Sequence, residues 1–273
     1  MSWQVVARKD FEDAVRSRWL IALTAFFVLL VGAVVFVVRP APGETVSSNQ
    51  VLNSLFIKDA LVTTLVPLIA LVTAYNAVVG ERSSGSLKLL LSLPHSRADV
   101  VFGKVLGRSA AFATPVVVGF LLPGIVLAVG PLQFDPVAFL GFTLLVVLLG
   151  AAFVSIAVGF SSATASHRLA VAGAIGIYFL FVPLWGAVQF PLQLYFGMGG
   201  GPAWLPLTGT EVLRFLRLLN PTGSFKILSG AFLGDQLFAS DVLRLHVAAL
   251  SMLVTWLFVP PLLGYVRFEN ADL

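Results

Sequence analysis

Long runs without a single charged residue constrain this chain more than any other feature. No Asp, Glu, Lys or Arg occurs between Arg18 and Arg39, or between Asp59 and Glu81. A helix needs about 20 mostly apolar residues to cross a lipid bilayer, and both runs have that length. Because their apolar residues are continuous rather than alternating, the runs predict membrane-spanning helices and not the strands of a β-barrel.

The composition agrees with a chain that is embedded in lipid. Of the 273 residues, 58% are hydrophobic and 11% are charged, whereas soluble domains carry about 25% charged residues. The mean hydropathy is +0.97. The sequence contains no cysteine and its three histidines are scattered singly, so we expect neither disulfides nor a metal site. The basic residues cluster beside apolar runs, as in membrane proteins, so we expect no nucleic-acid partner.

The length criterion predicts an all-α integral membrane protein with six spanning helices. The predicted spans are residues 19–38, 60–79, a stretch within 109–133, 136 to beyond 159, a stretch from 169, and about 245–266. Residues 1–18 mix acidic with basic side chains, and the apolar run after them is too long for a signal peptide. The first span is therefore expected to be a retained anchor.

Residues 169–210 are the ambiguous part of this topology. They contain no charge and are long enough for two spans, and a seventh span would place the basic residues of 214–244 inside, as the charge rule favours. However, residues 191–208 contain three prolines and three consecutive glycines, which are poor material for a lipid-exposed helix. We expect six spans, with an extracytoplasmic or re-entrant segment over residues 190–244.

Part of that outward segment has the pattern of a helix. Thr210 is a candidate N-cap, Asn220–Pro221 is a stop signal, and Arg214 and Arg217 share one face. Apolar residues crowd another face, so the pattern predicts an interfacial amphipathic helix. A lid that packs on the spanning helices is the alternative.

The basic residues near the predicted helix ends indicate the orientation. Residues 1–18 contain four basic side chains and residues 80–108 contain five, whereas the intervening loop at 39–59 contains two. The N-terminus and residues 80–104 are therefore expected in the cytoplasm. With six spans the C-terminus lies there too, in a multi-pass protein of the plasma membrane.

Residues 80–85 have the glycine spacing of a phosphate-binding loop. A functional P-loop ends in Gly-Lys-Ser/Thr, because the lysine reaches the phosphates and the hydroxyl binds magnesium. Here Gly85 is followed by Ser86 and Leu87, and a predicted membrane span precedes the loop where a strand should be. We therefore expect no ATP site and no cofactor in this chain.

The same segment predicts a short cytoplasmic helix. Leu87, Leu90 and Leu91 share one face at helical spacing, Pro94 ends the pattern, and residues 96–99 start the helix that leads into the third span. A helix joined in this way to two spans can transmit an applied force. By pattern alone, an ordinary interfacial loop with snorkelling basic side chains fits as well.

Residues 80–108 resemble the segment after the second span in type-2 ATP-binding-cassette (ABC) transporter permeases. The matching residues are Glu81–Arg82, Gly85, Leu89–Leu90–Leu91, Pro94, Ser96–Arg97 and Gly103–Lys104. Residues 6–19 resemble that family's N-terminal interfacial helix, and Asn220–Pro221 falls where such permeases often carry a similar pair. The two cytoplasmic segments look most like the permease subunit of the exporter that helps mature copper-containing nitrous oxide reductase.

This resemblance implies one permease domain over residues 1–273, with an interfacial helix at 1–18 and a cytoplasmic coupling helix between spans two and three. Such a permease pairs with a second copy or a paralogue and sits on two separate ABC ATPase subunits. It would move a substrate outward or between leaflets. The implied coupling residues are Glu81, Arg82, Gly85, Leu87, Leu90, Leu91, Pro94 and Arg97.

Three rival functions can be weighed against the residues. An ion-coupled carrier usually needs ionisable groups inside the membrane, and the six predicted spans contain none. An intramembrane protease would need a serine beside a base, but Ser161, Ser162 and His167 lie at a helix end without the expected glycine. A non-transporting scaffold that transmits force shares every feature of the permease and stays open.

Overall fold

A computed structural model describes residues 2–37, 47, 49, 52–53, 61–93, 95–128, 133–198 and 207–271. Throughout these residues the fold is built from helices, which confirms the predicted all-α class. The helices are α1 (Ser2–Val15), α2 (Arg18–Val37), α3 (Leu61–Ala74), α4 (Val79–Ser84), α5 (Ser86–Ser92), α6 (Arg97–Ala128), α7 (Pro136–Ala163), α8 (His167–Phe181), α9 (Trp185–Gly197), α10 (Gly209–Leu219), α11 (Pro221–Leu233) and α12 (Leu243–Glu269).

Five helical stretches in the described residues are long and apolar enough to cross a membrane. They are Leu61–Ser84, Arg97–Ile125, Pro136–Ala163, His167–Gly197 and Leu243–Glu269. A sixth span results if α1 and α2, which are bent by 71° relative to each other, count as one broken span. These stretches agree with the predicted spans, and α2 corresponds to the first.

Helices α8 and α9 form a single candidate span over His167–Gly197, with a turn at residues 182–184. A stretch of 31 residues is about 46 Å long, which exceeds the roughly 30 Å of hydrocarbon in a bilayer. One span therefore uses most of the uncharged region that was long enough for two. Residues 199–206, which complete that region, lie outside the described residues.

Helix α7 lies at the centre of the packing and contacts α3, α6, α11 and α12. Its Phe142 and Phe153 are fully buried, with ring centroids 5.9 Å from Phe225 of α11 and 6.3 Å from Phe181 of α8. At Gly150 the ring of Phe112 from α6 fills the space that a Cβ atom would need. The core is therefore a layer of aromatic rings around α7.

Helix α12 packs closely against α7 where both helices carry glycines. A Cβ atom on Gly159 or on Gly264 would overlap the backbone of the facing helix, as expected for the small residues that bring membrane helices together. Pro261 has no N–H, so it frees the carbonyl of Leu257. The hydroxyl of Ser155 donates to that carbonyl at 2.8 Å, which satisfies it inside the core.

The break between α8 and α9 is closed by a residue from far along the chain. The side-chain amide of Asn220 donates to the carbonyl of Phe181 at 2.7 Å, and its oxygen accepts from the backbone N–H of Thr222 at 2.9 Å. The Asn220 side chain thus caps the N-terminus of α11 and also provides a hydrogen-bond donor for the last carbonyl of α8. The indole N–H of Trp256 in α12 donates to the Leu219 carbonyl at 2.9 Å. These bonds hold the α10–α11 corner against two spans.

Helix α10 matches the predicted helix in the outward segment, but its N-cap was predicted wrongly. Thr208 and not Thr210 caps the helix, because its hydroxyl accepts from the Glu211 backbone while the Glu211 carboxylate accepts from the Thr208 backbone. The hydrogen bonds from Thr208 keep the pKa of Glu211 below its usual range. Helix α10 also packs inward, because its Leu218 is buried with Ala249 and Leu253 of α12, and α11 packs on α7 and α12.

Helix α1 lies along α6 at two glycines one turn apart. A Cβ atom on Gly103 would be 2.7 Å from the Val6 side chain, and one on Gly107 would be 2.7 Å from the Ala7 carbonyl oxygen. Two small residues four apart let the backbones of neighbouring helices approach closely. Residues 103 and 107 therefore hold the N-terminal helix against the start of the third span.

We predict that Gly107→Ala destabilises the protein by about 1–3 kcal/mol, because the methyl group meets the fixed backbone of α1. Gly230→Ala in α11 is the matched control, since a Cβ atom there has no neighbour within 4 Å. The thermal unfolding midpoint in detergent should fall for Gly107→Ala and stay constant or rise for Gly230→Ala. Equal midpoints would contradict the close packing of α1.

Candidate functional site

The segment from residue 79 to residue 97 connects α3 to α6 and includes the end of the Leu61–Ser84 stretch. One hydroxyl group holds its beginning. The turn at residues 75–78 leaves backbone N–H groups without helical partners. The Ser161 hydroxyl of α7 accepts from the backbone N–H groups of Val78 and Val79, each at 3.1 Å. Ser161 is fully buried. The segment therefore starts from a fixed point on the central helix.

The carboxylate of Glu81 binds a buried lysine of the same chain. It accepts a hydrogen bond from the ammonium group of Lys104 at 2.8 Å, and Lys104 also donates to Asp10 at 3.3 Å. The Lys104 side chain is 2% exposed and the Asp10 side chain 6%. A buried lysine between two carboxylates therefore joins α4 and α1 to α6.

Arg108 completes this group of charges one turn further along α6. Its Nε lies 2.9 Å from Oδ2 of Asp10, and its guanidinium also donates to the Thr73 carbonyl in α3 at 3.3 Å. We name Asp10, Glu81, Lys104 and Arg108 the ion cluster. Its two carboxylates and two cations balance in charge, which is the condition under which buried ions are tolerated. The cluster links four helices near the start of the third span.

Gly85 divides the segment into two short helices where the sequence predicted one. Its φ of 78° lies in the left-handed region, which glycine adopts without the steric cost of a Cβ atom. Its N–H donates to the Arg82 carbonyl at 3.3 Å and ends α4, after which α5 begins at Ser86. Consequently Glu81 and Lys88 lie on two different helices.

The two faces of α5 have different surroundings. Leu87 is 1% exposed in the main core, and Leu90 and Leu91 pack half-buried against that core. Leu89 is 72% exposed and Leu93, just after the helix, is 54% exposed. The apolar face predicted from the sequence thus lies against the chain's own helices, and a second pair of leucines is presented outward.

Arg97 anchors the other end of the segment. Its guanidinium donates to the carbonyl of Phe268, and to those of Glu269 and Ala271 at 2.9 Å each. It also lies 5.1 Å from the centre of the Phe268 ring. The last carbonyls of a helix lack intrahelical partners and attract cations. Arg97 therefore ties the start of α6 to the end of α12.

The remaining predicted coupling residues have less defined surroundings. Arg82 is half-buried and lines a cavity with Arg267 of α12. Pro94 lies outside the described residues. The structure places Glu81, Arg82, Leu87 and Arg97 in one segment, with Leu87 buried. No observation tests their contact with an ATPase, which stays a prediction.

The serine and histidine of the protease alternative have other partners. The Ser161 hydroxyl accepts from the backbone as described, and the Ser162 hydroxyl donates to the Gly159 carbonyl at 2.9 Å. Nδ1 of His167 lies 3.1 Å from the side-chain oxygen of Asn76. Among the described residues no hydrogen bond joins His167 to either serine. This arrangement does not form a nucleophile with its base.

Comparison with known proteins agrees with this arrangement of helices. Residues 4–273 match the family described as ABC-2 family transporter protein, so the chain belongs to the ABC-2 transporter family. It is 31% identical over 280 residues to the probable ABC transporter permease protein NosY of Stutzerimonas stutzeri, with 97% of each chain covered. It is 32% identical over 233 residues to the protein of the same name from Pseudomonas aeruginosa, covering 82% of this chain and 80% of the relative.

The protein is thus a multi-pass membrane protein and a permease subunit of an ABC transporter, which confirms the resemblance seen in residues 80–108. Membership of this family implies association with ABC ATPase subunits.

Several residues that hold the site together were missed in the sequence. Ser161 was considered only as a nucleophile, and Lys104 only as a basic residue for the orientation and as part of a family motif. Both act on groups more than 20 positions away, so no local periodicity indicates them. The one available signal was a lysine followed four residues later by an arginine at the start of an apolar helix. Such a pair needs nearby carboxylates when it is buried.

We predict that Lys104→Met destabilises the protein by about 3–5 kcal/mol, because it leaves buried carboxylates without their shared cation. The control is Lys88→Met, which removes an exposed lysine from α5 and should change stability by less than about 0.5 kcal/mol. Thermal unfolding of both variants in detergent measures the difference. A Lys104→Met variant as stable as Lys88→Met would show that the ion cluster does not stabilise the fold.

Proposed function

We propose that this permease subunit receives movement from ABC ATPase subunits through residues 79–97 and uses it to move a substrate outward or between leaflets. The chain itself would bind no ATP and need no cofactor, since the ATP is bound by the partner subunits. The domain would extend over residues 1–273, with both termini in the cytoplasm and the protein in the plasma membrane. Two permease chains, identical or paralogous, would form the membrane part of the transporter.

One observation carries this proposal: residues 79–97 are attached firmly to the spans and still present an apolar outward surface. Their beginning is bonded to Ser161 of α7 and, at Glu81, to Lys104 of α6, and their end at Arg97 is bonded to the carbonyls that close α12. Bonds to three different spans allow a push on the segment to move those spans together. An interfacial loop without such bonds would bend instead.

The outward surface has the composition of a protein contact. Leu89 and Leu93 are exposed beside Lys88 on the side of α5 that faces away from the core. Contiguous exposed leucines next to a charge are typical of docking surfaces. We propose that these residues enter the groove of the ATPase, while Leu87, Leu90 and Leu91 support α5 from behind.

The predicted coupling residues therefore divide into two roles in this proposal. Arg82 is a candidate for direct polar contact with the ATPase. Glu81 and Arg97 act as internal attachments, because their charged groups already bind Lys104 and the end of α12. Gly85 would serve as the joint that sets the angle between α4 and α5. A substitution at Glu81 thus alters folding as well as coupling.

We predict that Leu89→Asp lowers the amount of ATPase that co-purifies with the tagged permease by about 10-fold or more, as expected when a central apolar contact is lost. The control is Leu207→Asp, which changes an exposed leucine in the outward segment, 49% exposed. Copies of both variants in the membrane are counted first, to separate docking from insertion. Normal recovery of the ATPase with Leu89→Asp would overturn the assignment of this surface.

A further inference from the structure

The corner between α10 and α11 lies level with the centres of two candidate spans. The Asn220 side chain donates to the carbonyl of Phe181, which is the fifteenth residue of the 31-residue span formed by α8 and α9. The indole of Trp256, the fourteenth of the 27 residues of α12, donates to the carbonyl of Leu219. Two spans therefore place this corner at the same level, near the middle of the bundle.

Helices α10 and α11 form a hairpin between this level and one end of the bundle. Helix α10 begins beside the end of α9, because a Cβ atom on Gly209 would lie 2.5 Å from the Cβ atom of Phe196. It ends at Asn220. Helix α11 leads back, since the ring of Phe232 occupies the space beside Gly141, the sixth residue of α7. This end of the bundle is the one opposite residues 79–97, and it is the outward end in the proposed orientation.

The hairpin carries two cations close to its corner. Arg217 is three residues before Asn220 and Lys226 is six residues after it, so their Cα atoms lie no more than about 5 Å and 9 Å from the corner along the helix axes. Half of the hydrocarbon layer of a bilayer measures about 15 Å. Both side chains are exposed on the chain. Although the predicted spans contain no ionisable group, the hairpin brings two positive charges to the depth of the hydrocarbon.

The two cationic residues are neighbours across the hairpin. A Cβ atom on Gly223 would overlap the carbonyl of Arg217 and would lie 3.3 Å from its Cγ atom, so the end of α10 passes closely over the first turn of α11. Lys226 lies one turn beyond Gly223 on the same face of α11. Arg217 is also within the range of electrostatic repulsion from Lys226. The two residues therefore form a pair of like charges.

This pair has no carboxylate beside it in the described part of the chain. None of the ion pairs found there includes Arg217 or Lys226. The carboxylate on α10, that of Glu211, is six residues before Arg217 and accepts from the backbone of Thr208. Charged side chains at hydrocarbon depth are costly against lipid, and they usually face a water-filled cavity and mark the pathway of a solute. Two neighbouring cations in such a cavity attract an anion.

We propose that Arg217 and Lys226 line the outward half of the substrate pathway, and that the substrate carries a negative charge. This inference rests on the proposed function, because it takes the permease to move a substrate outward. Arg217 lies near the middle of the membrane and Lys226 lies closer to the outward surface. They would contact the anion in succession on its way out.

Depth favours a small anion over a lipid head group or a protein. The head groups of the outer leaflet begin about 15 Å from the middle of the bilayer. The backbone of Arg217 lies within about 5 Å of the corner, so it is about 10 Å below that layer. An acidic protein surface that stays outside the membrane is at least as far away. A small solute in a water-filled cavity can reach both cations.

The test uses the full-length permease in native membranes with its ATPase subunits, and it relies on a natural sequence without cysteine. Lys226→Cys keeps Arg217 in place, and its reaction rate is measured with an anionic and a cationic methanethiosulfonate reagent of similar size. Leu207→Cys, from the outward segment, gives the intrinsic ratio of the two rates. Leu180→Cys is the control for a side chain that faces lipid, because it is 44% exposed on the chain and adjoins Phe181 at the depth of the corner.

We expect the anionic reagent to react with Lys226→Cys at least tenfold faster than the cationic one, after division by the ratio at Leu207→Cys. The preference should disappear when Arg217→Gln is added, and Leu180→Cys should react with neither reagent. Arg217→Cys, with Lys226 as the remaining cation, replaces Lys226→Cys if that variant does not insert. Equal rates for the two reagents would overturn the proposal. Absence of reaction would also overturn it, because it would place the pair against lipid or a partner chain.

The same rates, measured with and without ATP, separate this inference from the proposed function. We expect ATP to change the rate at Lys226→Cys, because the pathway opens and closes with the ATPase. A rate that responds to ATP without a preference for the anionic reagent would overturn the anionic substrate and leave the proposed function intact. A preference that persists while ATP has no effect would keep the anion site and overturn its place in an ATP-driven pathway.

Discussion

The ion cluster formed by Asp10, Glu81, Lys104 and Arg108 is the interaction on which the proposed coupling region depends. Burying Lys104 next to the membrane is costly unless carboxylates surround it, and these come from two elements that are distant in sequence. The cluster therefore keeps α1, α4 and the start of α6 in one arrangement. Because moving α4 alone would leave the buried Lys104 without one of its carboxylates, α4 cannot move far without taking α6 with it.

Side-chain hydrogen bonds also stabilise the points at which the membrane helices are broken. A backbone group freed by a proline or a turn must find a partner, since lipid offers none. Ser155 donates to the carbonyl freed by Pro261, and Asn220 donates to the carbonyl that ends α8. These hydrogen bonds fix the positions of the breaks. The coupling segment is therefore attached to helices that are themselves held in place.

Much of the fold could be predicted from the sequence, because membrane spans are local features. The charge-free run before Arg39 corresponds to α2, and the pattern before Asn220–Pro221 corresponds to α10. The sequence was a poorer guide to which face of α5 is buried and which is exposed. Helical spacing showed that Leu87, Leu90 and Leu91 share a side, but not whether that side meets the chain's own core or a partner. The roles of Ser161 and Asn220 depend on contacts over 82 and 39 positions, which periodicity does not encode.

Site-specific cross-linking tests the central claim most directly, since the natural sequence contains no cysteine. Leu89→Cys would be treated with a short thiol cross-linker in native membranes, beside Leu207→Cys from the outward segment. Our account predicts that the residue at position 89 cross-links to the ABC ATPase, and that the one at 207 does not. Cross-linking of the ATPase at 207 and not at 89 would contradict both the orientation and the role of residues 79–97.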